Sequence, residues 1–239
     1  TAYVTLDGHR SNDFKPYVLK TTDHGRTWRA ITSNLPATGS THVIREHHRN
    51  PNQLFVGTEF GLFFSVDGGS TWTQMKQGFP TVPVHDLVIH SRENDLIIGA
   101  HGRGMWIIDD ITPLEQLATA RQAQIAHLYP VRPATLMNFT DAVPGPRGSG
   151  AHADRGWSAS NPPAGATISY LVNSSLPRGR TMSLEIVDKQ GRTVRTLQAR
   201  PTPGIHRVQW DLRHAPAYTP PRPAGAQGGQ GGGGGGGGG

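Results

Sequence analysis

Two carboxylates, two histidines and an arginine sit at glycine-marked corners of this chain, where acid–base or ionic chemistry is possible. Asp7 and His9 open a polar stretch that also holds Arg10 and Asp13. Glu59 lies inside Gly57-Thr58-Glu59-Phe60-Gly61, and His101 and Arg103 lie inside Gly99-Ala100-His101-Gly102-Arg103-Gly104. A pair of carboxylates about 5–10 Å apart can act on a glycoside as general acid and base, or as acid and nucleophile. Imidazole and guanidinium groups can hold an anion or a carboxylate. Asp7 and Glu59 are therefore the catalytic candidates, and Asp7, His9, Glu59, His101 and Arg103 the ligand-binding ones. The competing reading is that these side chains only tie neighbouring turns together.

The other polar features read more simply. The pair His47-His48 invites a metal, but no third ligand stands at useful spacing and no His-Glu-x-x-His occurs. It precedes Arg49-Asn50-Pro51-Asn52, a turn sequence, so a solvated loop is expected and no metal or other cofactor. Arg195 and Trp210 read as packing and strand-face residues.

The elements that position the candidates come from a repeat. Thr21-Thr22-Asp23-His24-Gly25-Arg26-Thr27-Trp28 returns 44 residues later as Ser65-Val66-Asp67-Gly68-Gly69-Ser70-Thr71-Trp72. The spacing matches the ~40–45 residues of a four-stranded propeller blade. An Asp at a turn start can accept backbone N–H bonds, a Gly takes the positive-φ corner, and Thr-Trp begins the next strand. Trp28 and Trp72 are expected to be buried, and Asp23 and Asp67 to bond their own turns. Ahead of each phrase runs strand, corner, strand: Ala2–Leu6 and Tyr17–Lys20, then Gln53–Phe64. A third version, Asp95–Ile108, ends in Asp109-Asp110 without the rest of the phrase. Opening strands precede the second and third versions at His42–Glu46 and Val84–His90; the first version lacks one.

The eight-residue phrase is an Asp box, and the chain resembles the Asp-box (BNR-repeat) β-propellers. These include sialidases, xyloglucan-degrading glycosidases and the sortilin-type luminal domain. Ala100–Asp110 followed by Ile111-Thr112-Pro113-Leu114 resembles the closing blade of large bacterial proteins of the sortilin-like or BNR-repeat glycosyl hydrolase type. The resemblance covers residues 1 to about 118. It implies a structural staple at Thr21, Asp23, Gly25, Thr27 and Trp28 and again at Ser65, Asp67, Gly69, Thr71 and Trp72. It places the staples on the face opposite the ligand and Asp7, His9, Glu59, His101 and Arg103 on the ligand face. A sialidase would need an arginine triad and a tyrosine nucleophile, and no clear set is present.

The expected fold is all-β: about three blades of a propeller over 1–111, then a connector and Gly/Pro-rich loop over 112–165. An incomplete Ig-like β-sandwich over 166–214 and a disordered Pro/Gly tail over 215–239 complete it. Thr112 reads as the N-cap of a short helix with Pro113 in its first turn. Strand patterns at Ala166–Val172, Met182–Asp188, Thr193–Leu197 and Ile205–Arg213, with Lys189–Arg192 as a turn, support the sandwich. Its phrases resemble the Ig-like module of flagellar-hook-cap proteins. Three blades do not close a propeller, which takes about four to eight. The expectation is thus a C-terminal part of a longer exported protein, with an exposed first blade face carrying Tyr3, Val4, Tyr17 and Val18.

Composition narrows partners. The net charge of +6 is spread over scattered arginines and reads as compositional bias, so no nucleic acid partner is expected. No apolar run reaches the ~18 residues of a membrane span. With no Cys, neither disulfides nor thiolate chemistry is available. The expected partner is a carbohydrate or a protein or peptide, and the expected location secreted, periplasmic or cell-surface. Two functions follow: a binding or scaffold module, or a glycoside hydrolase whose isolated C-terminal part is inactive.

Overall fold

The computed structural model describes residues 1–134, 164–177 and 179–215. Much of the connector and loop expected over 112–165, and the expected tail beyond 215, lie outside the described residues. Three antiparallel sheets follow one another in chain order. The first contains β1 (Ala2–Gly8), β2 (Asp13–Thr21) and β3 (Arg29–Ala30). The second contains β4 (Thr41–Glu46), β5 (Leu54–Thr58), β6 (Gly61–Ser65) and β7 (Thr73–Gln74). The third contains β8 (Val84–His90), β9 (Asp95–Ala100) and β10 (Gly104–Ile108). Each is a meander, and β4 packs against both β1 and β8, which sets the sheets side by side.

Apolar alternation decides which sheet lies inside. In β5 and β6, Phe55, Leu62 and Phe64 join a core with Leu87, Leu96 and Ile98 of the third sheet. Leu54, Val56 and Phe63 point the other way and join Val18, Ile31 and Leu35 after the first sheet. Successive strand residues face opposite sides, so a run apolar at every position belongs between two layers.

The two eight-residue turns carry the same internal bonds. The Asp23 carboxylate accepts the Thr27 amide at 2.9 Å and its hydroxyl at 2.6 Å, and the Thr21 hydroxyl accepts the Gly25 amide at 3.0 Å. In the second copy Asp67 accepts the Thr71 amide at 2.8 Å and its hydroxyl at 2.6 Å, and Ser65 accepts the Gly69 amide at 2.9 Å. Their surroundings differ. Trp72 is 4% exposed and its indole N–H donates to the Ile31 carbonyl at 2.7 Å. Trp28, expected to be buried, is 42% exposed. The segment Ile31–Leu35 covers Trp72, and no described residue stands in the matching place over Trp28. Val18, expected on the open face, is instead fully buried, because it points at Ile31 and the second sheet.

After β10 the chain turns through Asp110, which has φ 51°, into α1 (Thr112–Glu115) and α2 (Leu117–Ala120). Thr112 is not the cap: it is the first residue within the helix. The Asp110 carboxylate accepts the Thr112 amide, and the Thr112 hydroxyl accepts the Asn94 amide group. Besides these helices, a 3-10 turn at His9–Ser11 is the only other helical stretch among the described residues.

The C-terminal part builds two small sheets, β11 (Ala126–Leu128), β12 (Ala166–Val172) and β15 (Gly204–Trp210) in the order β11-β12-β15, and the hairpin β13 (Met182–Val187) with β14 (Thr193–Ala199). Tyr170, Val172 and Ala199 pack between them with Met182, Leu184 and Val208. On the other side of β12, Leu171 joins Leu117, Ala120 and Tyr129 in the core of the third sheet.

Candidate functional site

The corners that end β1, β5 and β9 lie at one end of the three sheets, and the eight-residue turns lie at the other. At the corner end a cleft of about 620 Å³ gathers side chains from all three sheets. Asp7 and His9 come from the first, Glu59 from the second and His101 from the third. Arg103 is not part of it; that residue stands exposed beyond the corner, where its carbonyl accepts the Trp106 indole N–H.

Backbone geometry explains the convergence. The Glu59 amide bonds the Ser40 carbonyl and the His101 amide bonds the Pro83 carbonyl, both at 2.9 Å, so both corners are pinned in the same way. Both opening strands bulge just after this bond. Thr41 pairs with Thr58 but Val43 with Gly57, and Val84 pairs with Ala100 but Asp86 with Gly99. The extra residues are His42 and His85. A bulge re-aims its side chain. Here it brings the two imidazoles together, stacked at 4.3 Å with an 11° interplanar angle. His101 continues the column, its ring 5.6 Å from that of His85. Gly57 is required for the seam: a Cβ there would lie 2.5 Å from the Val84 carbonyl oxygen.

The carboxylates flank this column. Glu59 meets His42 Nε2 at 3.0 Å. Asp7 meets His9 Nδ1 at 2.7 Å and lies 3.9 Å from His42 Nδ1. The His9 backbone N–H, helped by the Ser40 hydroxyl and the His9 ring, holds the Asp7 carboxyl down to about 2. Asp7 is therefore ionised at neutral pH and unsuited to act as a general acid. Burial first, then the fields of His42 and His101, pushes His85 below the ordinary histidine range, against the pull of Glu59 and Asp7. The Ser40 hydroxyl is drawn toward Asp7 without a directed hydrogen bond, and it is buried without another partner. Phe14 and Phe60 form the walls, each about half exposed. The Phe60 ring lies against the backbone of Gly39, where a Cβ would come within 2.7 Å of it.

His42, His85, Phe14, Phe60 and Ser40 escaped sequence reasoning. The usable signal was in the repeat: His42 and His85 fall at the same place in consecutive copies, just ahead of Gly57 and Gly99 in the pairing strand. His47, expected in a solvated loop, is buried. Its Nε2 bonds the Asn94 side chain at 2.8 Å and its Nδ1 accepts the Arg49 amide. Among the described residues no group of three His, Asp or Glu side chains is arranged to hold a metal ion. No helix among them is long and apolar enough to cross a membrane.

A second cavity of about 460 Å³ lies between the third sheet and β15. Its arginines are engaged there: Arg207 donates to the Asp109 and Asp110 backbone carbonyls, and Arg132 donates to the Glu93 backbone carbonyl and lies 3.5 Å from the Asp110 carboxylate. It is a joint between the two parts of the chain. No family model matches the chain, and no curated protein matches it.

Proposed function

We propose that residues 1–111 are consecutive blades of an Asp-box β-propeller of the bacterial sortilin-like type, followed by an Ig-like module, in an exported protein. The cleft at the corner end is its ligand site, for a peptide or a glycan. The observation that carries this reading is the convergence of Asp7, His9, Glu59 and His101, from three separate repeats, on one cleft walled by two exposed aromatic rings. Exposed aromatic faces beside a few fixed polar groups are the ordinary makings of a recognition site. The identical bonding of the two eight-residue turns supports the blade reading.

One observation favours the second reading, a glycoside hydrolase. Asp7 and Glu59 stand on either side of one imidazole, which keeps them within the ~10 Å that a hydrolytic carboxylate pair spans. Binding is preferred, because His42 fills the space between them. Peptide and glycan libraries screened against the chain and its Phe60→Ala variant test this. The expected result is a ligand whose affinity falls tenfold or more in the variant. Ligands held equally by both would sink the site. Turnover of an aryl glycoside that is lost in Glu59→Gln would replace binding with hydrolysis.

A further inference from the structure

The charge of the cleft names the group it takes. Its lining holds two carboxylates, four histidines and two phenylalanines, and no lysine or arginine. The chain as a whole carries +6, so this cleft is a local exception in a positive molecule. Anions are drawn elsewhere on such a surface, and a cation finds favourable potential only where carboxylates gather. His42 and His85 stack at 4.3 Å, a spacing that disfavours two adjacent positive charges. Glu59 meets His42 through Oε2, and among the described residues its Oε1 has no hydrogen-bond partner. The buried Ser40 hydroxyl makes no directed hydrogen bond. Phe14 and Phe60, each about half exposed, line the cleft with aromatic surface, and aromatic rings attract cations and cover alkyl stems.

From these observations we infer that the anchoring group is an organic cation, the ammonium or guanidinium of a basic peptide side chain, drawn to the carboxylates of Asp7 and Glu59 at the cleft with its stem against Phe14 and Phe60. The inference rests on the cleft being the ligand site and adds the chemistry of the ligand. It runs against an anionic sugar, which the same two carboxylates would repel.

Four fluorescein-labelled pentapeptides test it by anisotropy at pH 7.5 and low salt, with Gly on either side of a central Arg, Lys, norleucine or Glu. The Arg and Lys peptides are expected to bind at least tenfold more tightly than norleucine, with the Glu peptide weakest. Glu59→Gln and Asp7→Asn should each remove at least tenfold of that preference, and Glu59→Gln should do so with the thermal midpoint unchanged. If one variant fails to fold, the other decides. Spermidine is the competitor that separates sources: displacement only at far higher concentration than an unlabelled Arg peptide keeps the peptide assignment, and equal displacement overturns it in favour of a free polyamine. Norleucine binding as tightly as Arg would overturn the cation while leaving the cleft in place, provided Phe60→Ala weakens both. Binding of every peptide unchanged in Phe60→Ala would overturn the cleft itself.

Discussion

In the middle sheet, Phe55, Leu62 and Phe64 face one neighbour and Leu54, Val56 and Phe63 the other, and all ten residues of β5 and β6 are buried. The third sheet is cut from the same pattern, yet Met105 is 69% and Ile107 59% exposed in β10, while Trp106 and Ile108 pack inward. In the first sheet Leu6, Phe14 and Trp28 are all more than 40% exposed. The three sheets share hairpins, corners and, in two cases, the same turn. They differ in how many neighbours they have. A repeat makes its own backbone shape locally, but its faces are buried only by the repeats beside it.

The two tryptophans give the largest measurable contrast. Trp72→Ala should cost ~3–5 kcal/mol in urea denaturation, the usual loss for a buried Trp, and it also strands the Ile31 carbonyl. Trp28→Ala removes a ring with one open face and should cost less than about 1 kcal/mol. Equal losses would mean that the phrase itself buries its Trp, and that the neighbour is irrelevant.

The corner glycines repeat the contrast at smaller scale. A Cβ on Gly57 would press on the Val84 carbonyl of the next sheet, whereas on Gly99 it would meet nothing nearer than Asp86 at 3.5 Å, an ordinary contact. Gly57→Ala should therefore cost about 1–3 kcal/mol by overpacking the seam, and Gly99→Ala about 0.5 kcal/mol or less. Since Gly57 faces the bulge that aims His42, the first substitution should also weaken ligand binding. Gly57→Ala behaving like Gly99→Ala would remove the seam as the reason for that glycine.

What local chemistry decides was readable before the structure. Asp23 and Asp67 announce their turns, because every bond they make lies within four residues. Asp7, His9, Glu59 and His101 were legible because a corner needs its glycine, and the repeat marks equivalent corners. What depends on a neighbour was not. Trp28 and Trp72 sit in the same phrase, which says nothing of what covers each. His42 and His85 lie inside strands, and strand alternation does not reveal a bulge that turns a side chain aside. His47 looked like loop because its partners Asn94 and Glu115 stand far along the chain. Arg103 belongs to the right corner but points elsewhere, a difference of rotamer and turn that spacing does not carry.

The turns themselves are where the copies should agree. Asp67→Ala removes the acceptor of the Thr71 amide and hydroxyl and should cost ~0.5–2 kcal/mol, as a lost cap does. Asp23→Ala should shift the urea midpoint in the same direction. Bonds from the Thr27 hydroxyl and amide hold Asp23 down to about 2. At Asp67 burial acts upward, yet the Thr71 and Ser65 bonds outweigh it and the net shift is also downward. A carboxyl lowered by folding stabilises fully above its unfolded value near 3.9, and that stability is lost as pH falls from there toward 2. Loss of the acid-dependent step in Asp23→Asn and Asp67→Asn, compared with the parent between pH 4 and 2, checks the assignment. An unchanged step in both would place it elsewhere.

The smallest effect is expected from a pair of histidines at one place in the repeat. His47 follows β4 and His90 ends β8, and each offers Nδ1 to a backbone N–H, of Arg49 and of Glu93 respectively. Only the copy in the middle sheet is buried, with its side chain fully covered and Asn94 on Nε2. Protonation of Nδ1 would break the Arg49 bond inside that covered site. Burial, with the fields of His48 and Arg49, lowers the His47 pKa against the pull of Asn94 and Glu115. The folded state therefore binds this proton less readily than the unfolded chain. Stability from this group is complete above the unfolded value near 6.5 and is lost as pH falls below it. The thermal midpoint should decline from pH 7.5 to 5.5, and His47→Gln, which can still bond Asn94, should flatten that decline. His90→Gln is the half-exposed control. A decline that survives in His47→Gln and vanishes in His90→Gln would show that exposure, rather than the neighbouring sheet, governs these sites, and the contrast between covered and open copies would then fail for charged groups even if it holds for tryptophan.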